Sequence, residues 1–461
     1  MGMNGFYSAE RQVAVVGMLA FCGPGMFNAL NGLGGAGSGS ASVAALANGS
    51  LYFTFAISGY FGGAAFNLFG PVVLFMVGGL TYAIYATCIY FTEDFAFLAV
   101  VGGAILGVGA GLFWTAQGSL IMAYATPKSR GKMIGLFWVL FNLGGVMGGL
   151  LEFALNYNSS KDSADPLSYF TFIGIMLFGS CLAPIVLAKP AKVVKEDGSP
   201  VFFEKARSAG EEIRATLAAA NDPFVRRMAL FFLASNWFYT YDFSGFNGTQ
   251  FSIRTRGLNS AIFWAAQMAA SYLLGRVLDN TDDSVRTRAR KGLTLTVVSL
   301  VVSLGPAILD NFTGAFGMCG KVWDKNSPCE LDFLHDAPRV AAPMVIYALM
   351  GASDAVYQSY AYWLMSSAAR GSVRKTVQFS AAYKGIQSLG GGLAWLADLS
   401  DSFSYRAQGI VALGITLVAC LPVKNTFKYL SECEGGDNDD LHEDLQDPLN
   451  ADCRESDYQR P

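Results

Sequence analysis

The chain reads as an all-α integral membrane protein of twelve transmembrane helices, set out as two six-helix halves with both termini in the cytosol. Three observations lead there. Hydrophobic residues fill 52% of the 461 positions and charged residues only 15%, against about 25% charged in an average soluble domain. Twelve stretches are apolar for long enough to cross a bilayer, which takes about 20 residues. A polar stretch from Lys189 to Asn221 separates six of them from the other six, as in membrane bundles built from two parallel halves.

In order, the first half (1–188) holds apolar spans at about 12–31, 43–66, 70–91, 95–124, 132–155 and 167–188. No short basic region with a cleavage site precedes the first span, so it is expected to be retained. The cytosolic linker (189–223) contains EKARSAGEEIRATLAAAND, where opposite charges three or four residues apart favour a surface helix. The second half (224–430) holds spans at about 224–247, 258–278, 291–312, 338–366, 373–398 and 404–423. The remainder (431–461) begins ECEGGDNDDLHEDLQDPL, acidic and poor in hydrophobics, which predicts a disordered tail.

The basic residues set the orientation. Of the 32 Lys and Arg, 24 fall on the side of the linker and termini, seven on the other side, and one, Lys384, inside a span. Such an excess marks the cytosolic side. Four Asn-x-Ser/Thr tripeptides, at Asn48, Asn158, Asn247 and Asn311, fall at the opposite ends of spans and are candidate glycosylation sites. Cys319 and Cys329 flank a short stretch in the same outer loop as Asn311, where a disulfide would persist; two free thiols are the alternative.

Composition also narrows the chemistry. His335 and His442 are the only histidines, and no nucleophile–base set converges, so the chain does not read as an enzyme. The cysteines follow no metal spacing, and nothing implies a metal or cofactor. No basic surface interleaved with aromatics suggests a nucleic acid. No repeated filter-like segment suggests a channel. The Gly107, Gly109 and Gly111 run sits inside an apolar span with no strand before it, and reads as close helix packing rather than a phosphate loop.

The informative residues are the polar ones inside spans. Asp354 lies about twelve residues from the linker-side end of the tenth span, and Lys384 about ten from that end of the eleventh. At about 1.5 Å per residue both sit roughly 15–18 Å deep. A pair of opposite charges at that depth is expected to face the bundle interior or line a path. Asn28, Asn31, Gln117, Asn142, Asn236, Asp242, Gln267, Gln358 and Gln387 are the other candidates to line a substrate or ion path, with interhelical hydrogen bonding as their plainer use.

Longer motifs carry a family resemblance. GGAAFNLFGPVVLF follows the second span, and Gly63, Asn67 and Gly70 in it keep the spacing of the Gly-x-x-x-Asp-x-x-Gly loop of the major facilitator superfamily, with Asn67 in place of the Asp. GRVLD supplies Gly275 and Asp279 at the equivalent point of the second half. WTAQGSLIMAYATPKSRGKMIGLFWVLFNLGGVMGG, SNWFYTYDFSGFNGTQF, GASDAVYQSYAYWL and YKGIQSLGGGLAW resemble the uncoordinated-93-like branch of that superfamily, from about Arg11 to Lys424. The resemblance implies a twelve-helix bundle whose loops act as a gate latch on the inner side. It matches Gln117, Asn142, Asp354, Gln358, Lys384 and Gln387 to recurrent polar positions, whereas Asp242 stands where an uncharged polar residue is expected. Two functions follow from it. One is a transporter that moves a small solute or ion by alternating access. The other is a non-transporting regulatory or trafficking partner of another membrane protein.

Overall fold

A computed structural model describes residues 3–32, 41–92, 94–157, 166–201, 208–317, 329–400 and 402–430. One short turn, α1 (Met3–Phe6), precedes an interrupted long helix. Here α2 (Ala9–Ala20) runs through a π-turn, π1 (Phe21–Gly25), into α3 (Met26–Gly32). Pro24 accounts for the break, since it has no N–H to donate and its ring collides with the preceding turn.

Then come α4 (Ala41–Tyr60), α5 (Gly62–Phe69), α6 (Pro71–Tyr90), α7 (Phe97–Tyr124), α8 (Arg130–Leu155) and α9 (Pro166–Val186). Gly70 joins α5 to α6 at φ 76°, a conformation that favours glycine, and Pro71 opens α6 at the position where its missing N–H costs nothing. The linker folds α10 (Ala209–Ala219), capped by the Ser208 hydroxyl.

After it, α11 (Pro223–Ala234) stops and a wide π-helical stretch, π2 (Thr240–Gly248), follows. The seventh span, expected as one helix over about 224–247, is therefore discontinuous. The remaining helices are α12 (Ile253–Leu278), α13 (Val285–Thr313), α14 (Ala341–Ala368), α15 (Val373–Asp398) and α16 (Tyr405–Cys420), with a 3-10 turn over Leu421–Tyr429. Asp222, Ser284, Ser372 and Ser404 accept backbone N–H bonds at the starts of α11, α13, α15 and α16.

Among the described residues, β-structure is limited to isolated bridges, and eight helices are long and apolar enough to cross a membrane. α14 and α15, at 28 and 26 residues, are long enough but carry the polar residues discussed below. The protein is a multi-pass integral membrane protein. Inside it, polar side chains must find partners, because lipid offers none. Ser50, Thr54 and Ser58 on α4 show how: their hydroxyls donate to the carbonyls of Val100, Ala104 and Gly107 on α7 at 2.9–3.0 Å. Close approach there depends on Gly111, where an added Cβ would lie 2.5 Å from the backbone nitrogen of Gly59.

The described ends of the chain lie together with the linker. Ala9 N donates to Val194 O at 2.9 Å, and the Tyr429 ring packs under the Arg227 guanidinium at 5.3 Å. Three candidate glycosylation sites are corrected. Asn48, Asn247 and Asn311 are 1%, 0% and 0% exposed, and their amides donate to Asn31, to the Arg256 carbonyl and to Tyr241. The tripeptides sit in helices rather than loops, so no glycan fits. Asn158 lies outside the described residues. Cys329 is disulfide-bonded, while Cys319 lies outside the described residues.

Candidate functional site

The two interrupted helices, each the first of its half, face one cavity. Pro24, Phe27 and Asn28 line it from the first break, and Asn236 and Tyr239 from the second. Interrupted helices at corresponding positions of two halves are the usual builders of a solute site, because unwound backbone is tolerated only where it lines a cavity. The walls differ in chemistry. The first half contributes Leu51, Tyr52, Phe55, Tyr82, Trp114, Trp138 and Phe141, whereas the second contributes Asn236, Tyr239, Gln358, Lys384 and Gln387.

Asp354 and Lys384 come together here, but not as the direct ion pair expected from their depths. Two glutamine side chains stand between them. Gln358 Nε2 donates to Asp354 Oδ1 at 2.6 Å, Gln387 Nε2 donates to Gln358 Oε1 at 3.0 Å, and Lys384 Nζ donates to Gln387 Oε1 at 2.8 Å. The spacing explains it: Gln358 is one turn beyond Asp354 on α14, Gln387 nearly one turn beyond Lys384 on α15, and both amides fill the gap.

Asp354 also accepts from Tyr239 OH at 3.0 Å and Gln267 Nε2 at 2.7 Å. The Lys384 ammonium, 3% exposed, lies over the rings of Trp114 at 4.7 Å, Tyr383 at 4.8 Å and Tyr362 at 5.3 Å. Aromatic faces stabilise a cation that water cannot reach. The Lys384 side chain thus lies between the Trp114 face of the first half and the amide chain of the second.

The Gln387 amide is the adjustable part. Its Nε2 lies within bonding distance of Ser235 Oγ (2.8 Å), Asn236 Oδ1 (2.9 Å), Gln358 Oε1 (3.0 Å) and Tyr383 OH (3.1 Å). Two hydrogens cannot serve four acceptors; Ser235 Oγ and Tyr383 OH also bond each other at 2.7 Å, and the two that line the cavity, Asn236 and Gln358, are the ones within reach of a ligand's donors. Ser235 and Tyr383 were not singled out from sequence, because a serine or tyrosine in an apolar span has no signature of its own.

Other expected path residues sit elsewhere. Gln117 is buried and accepts from Tyr362 OH at 3.0 Å, a contact between α7 and α14 away from the cavity wall. Asn142 is buried in α8 and does not line the cavity. Asp242 lies in π2 and faces a separate small pocket with Ser303, Ser353 and Asp354. It does not line the main cavity; it sits in the π-helical stretch beside it.

The two gate loops diverge as their sequences do. In the second half, Asp279 Oδ1 and Oδ2 accept from Gly131 N and Lys132 N, each at 2.7 Å, and so cap α8 of the other half. Gly275 and Gly131 pack backbone to backbone across the two halves beside it, where a Cβ on Gly131 would lie 2.5 Å from the Gly275 carbonyl oxygen. In the first half, Asn67 Nδ2 instead donates to Glu212 Oε2 of the linker helix at 2.7 Å, and Tyr60 OH donates to Thr216 O at 3.3 Å. Glu212 was missed because nothing in a surface helix marks the loop it will meet. Glu212→Ala is expected to lower stability by about 1 kcal/mol and to speed proteolysis of the linker; unchanged cleavage would show that the bond holds nothing.

Burial pushes the Asp279 carboxyl up to about 6, against the two backbone N–H groups that favour its charged form. A raised carboxyl value means that the native state holds the proton more tightly than the unfolded chain. That stability is present below the ordinary carboxylate value and is lost as pH rises through about 6. The Tm of the wild type is expected to fall relative to Asp279→Asn over that window and to run parallel above it. A constant difference from pH 4 to 8 would refute the burial.

On the face opposite the linker, Arg254 Nη1 donates to Tyr157 O at 3.1 Å, and the Phe153 and Phe333 rings pack 5.5 Å apart. These contacts join the two halves on that face.

Comparison with known proteins agrees with this geometry. The family profile of the Major Facilitator Superfamily matches residues 13–394. UNC93-like protein 1 of Arabidopsis thaliana is 38% identical over 443 residues, covering 94% of this chain and 93% of its own length. An UNC93-like protein of Schizosaccharomyces pombe is 35% identical over 424 residues, 90% of this chain and 82% of its own. Among solved structures, the proton:xylose symporter XylE bound to 6-bromo-6-deoxy-D-glucose superposes with a TM-score of 0.58 at 13% identity, over 91% of this chain and 95% of that one. The transporter FucP in its outward conformation gives 0.60 at 10% identity, over 91% and 99%. With an apolar helical bundle, interrupted first helices in both halves and relatives of this similarity over nearly its whole length, the chain belongs to the major facilitator superfamily, in its UNC93-like branch.

Proposed function

We propose that the protein moves a small solute across the membrane by alternating access, on twelve spans in two six-helix halves (1–188 and 224–430) with both termini cytosolic. The carrying observation is the cavity at the two broken helices, where a polar hydrogen-bonding wall from the second half faces a mainly aromatic wall from the first. That asymmetry favours an amphipathic solute. Its polar edge takes the acceptors that Gln387 leaves unserved, and its apolar face lies against Phe27, Tyr52, Phe55 and Trp114. Alternating access then works through α15: a solute that replaces Gln387 at Ser235 and Asn236 loosens the hold of α15 on the end of α11. XylE is named a proton symporter of xylose; the likeness at 13% identity supports the bundle and not the cargo.

The test is thermal unfolding of the purified protein across a broad solute panel. A binder at a hundredfold excess over its Kd stabilises by about 2.7 kcal/mol. Silence across the panel, with no flux in vesicles, would sink the transport reading.

One observation favours a second reading, a regulatory or trafficking partner of another membrane protein. The linker helix occupies the first gate loop through Asn67 and Tyr60, where the superfamily has its charged latch. A protein that co-purifies with the wild type and is lost with Asn67→Asp would support that reading.

A further inference from the structure

Asp242 is a buried charge that the cavity does not use. It is 1% exposed, and its Oδ1 has no hydrogen-bond partner. The pocket it faces is lined by Phe238, Leu300, Leu304 and Met350 and, as polar groups, by Asp242, Ser303, Ser353 and Asp354. Ser353 Oγ also lacks a partner. Ser303 Oγ gives its hydrogen to Leu300 O at 3.3 Å, which leaves its lone pairs open.

The charges here do not balance. Asp242 and Asp354 are two carboxylates, and the one cation tied to them is Lys384, which reaches Asp354 through the glutamine chain. With both carboxyls ionised, one negative charge is left over at the middle of the bundle, where an uncompensated charge costs several kcal/mol, so the site must hold either a proton or a cation. The polar side chains of the pocket offer oxygen alone, carboxylate and hydroxyl, which selects a hard cation. An excess of one selects a monovalent cation. The backbone agrees, since unwound stretches of broken helices supply carbonyl oxygens to such ions, and Asp242 sits in π2.

We propose that a sodium ion binds between π2, α13 and α14, held by Asp242, Ser303, Ser353 and Asp354. Its consequence for transport rests on the solute reading above. Asp354 lines this pocket and accepts from Gln358 and Tyr239 of the cavity wall, so sodium and solute would each change the other's affinity by the same factor.

The test uses the full-length protein without solute, so the transport reading does not enter the outcome. Thermal unfolding is measured at constant ionic strength in sodium chloride, potassium chloride and N-methyl-D-glucamine chloride. Sodium alone is expected to raise the Tm of the wild type by several degrees, saturably. Asp242→Asn, nearly isosteric, should abolish the response, and Ser353→Ala or Ser303→Ala should shift its midpoint to higher sodium. Equal Tm in the three salts, or an Asp242→Asn protein that still responds, overturns the proposal. So does stabilisation by acid alike in all three salts, which would assign the balancing charge to a proton. A sodium response with no solute found would leave the ion site standing and the transport reading without support.

Discussion

Lys384→Met is expected to abolish solute-dependent stabilisation and vesicle flux, the largest functional loss from any single change in this chain. The methionine keeps most of the stem and removes the ammonium that Trp114, Tyr362 and Tyr383 surround. It also removes the donor that holds Gln387 Oε1 at 2.8 Å. The glutamine amide is then free to turn, and the chain from α15 to Asp354 loses its fixed direction. Because Asp354 keeps its charge, the single variant should also lose about 3–5 kcal/mol of stability, the cost of stranding one partner of a buried pair. The double variant Lys384→Met/Asp354→Asn separates the effects. It should recover most of the stability, since no charge is stranded, and none of the transport. A double variant no more stable than Lys384→Met would show that the two charges do not sense each other through Gln358 and Gln387. A single variant with undiminished flux would remove Lys384 from the mechanism.

The second large effect is expected at Gly275, where the halves meet on the linker side. A Cβ there would lie 2.7 Å from the carbonyl oxygen of Gly131 and 3.0 Å from its carbonyl carbon. Both atoms are backbone of the other half, so no side chain can swing away. Gly275→Val therefore has to part α12 from α8, at about 1–3 kcal/mol of overpacking, and Asp279 is carried off the α8 N-terminus with it. The linker-side gate should stand open. Ser367 lies fully buried behind this contact and accepts from Arg130 Nη1 at 3.3 Å. In a Ser367→Cys background, Gly275→Val is expected to raise maleimide labelling by at least about tenfold, the effect of roughly 1.4 kcal/mol on the closed–open equilibrium. Labelling at the background rate would mean that the Gly131–Gly275 contact is not a gate.

The residues show why some of this was legible in the chain and some was not. Pro71, Asp222, Ser284 and Ser372 stand at helix starts; the spans expected from about 70, 224 and 373 begin within a residue or two of the observed helices, whereas α13 starts six residues before the expected 291 because its first turns are polar. The depths of Asp354 and Lys384 follow from helix rise alone, so their meeting at one level was readable. The glutamines between them were not. An ion pair and an amide-bridged pair have the same residues at the same spacing, and a rotation of α15 by a fraction of a turn decides between them. The break in α11 carries no proline to announce it, unlike Pro24 in the first helix; its consequence, Asp242 turned into a second pocket, depends on α13 and α14 for the pocket walls.

The sequence by itself determined the membrane class, the presence of a linker helix and the family, because hydropathy, local charge pairs and motif spacing act within a few residues of chain. Only the tertiary structure decided which polar groups share a cavity, that Asn67 answers to Glu212 while Asp279 answers to α8, and that Asn48, Asn247 and Asn311 are buried. In lipid each polar group must be satisfied by whichever helix lies beside it, and which helices are neighbours is set by packing across the bundle rather than by local sequence.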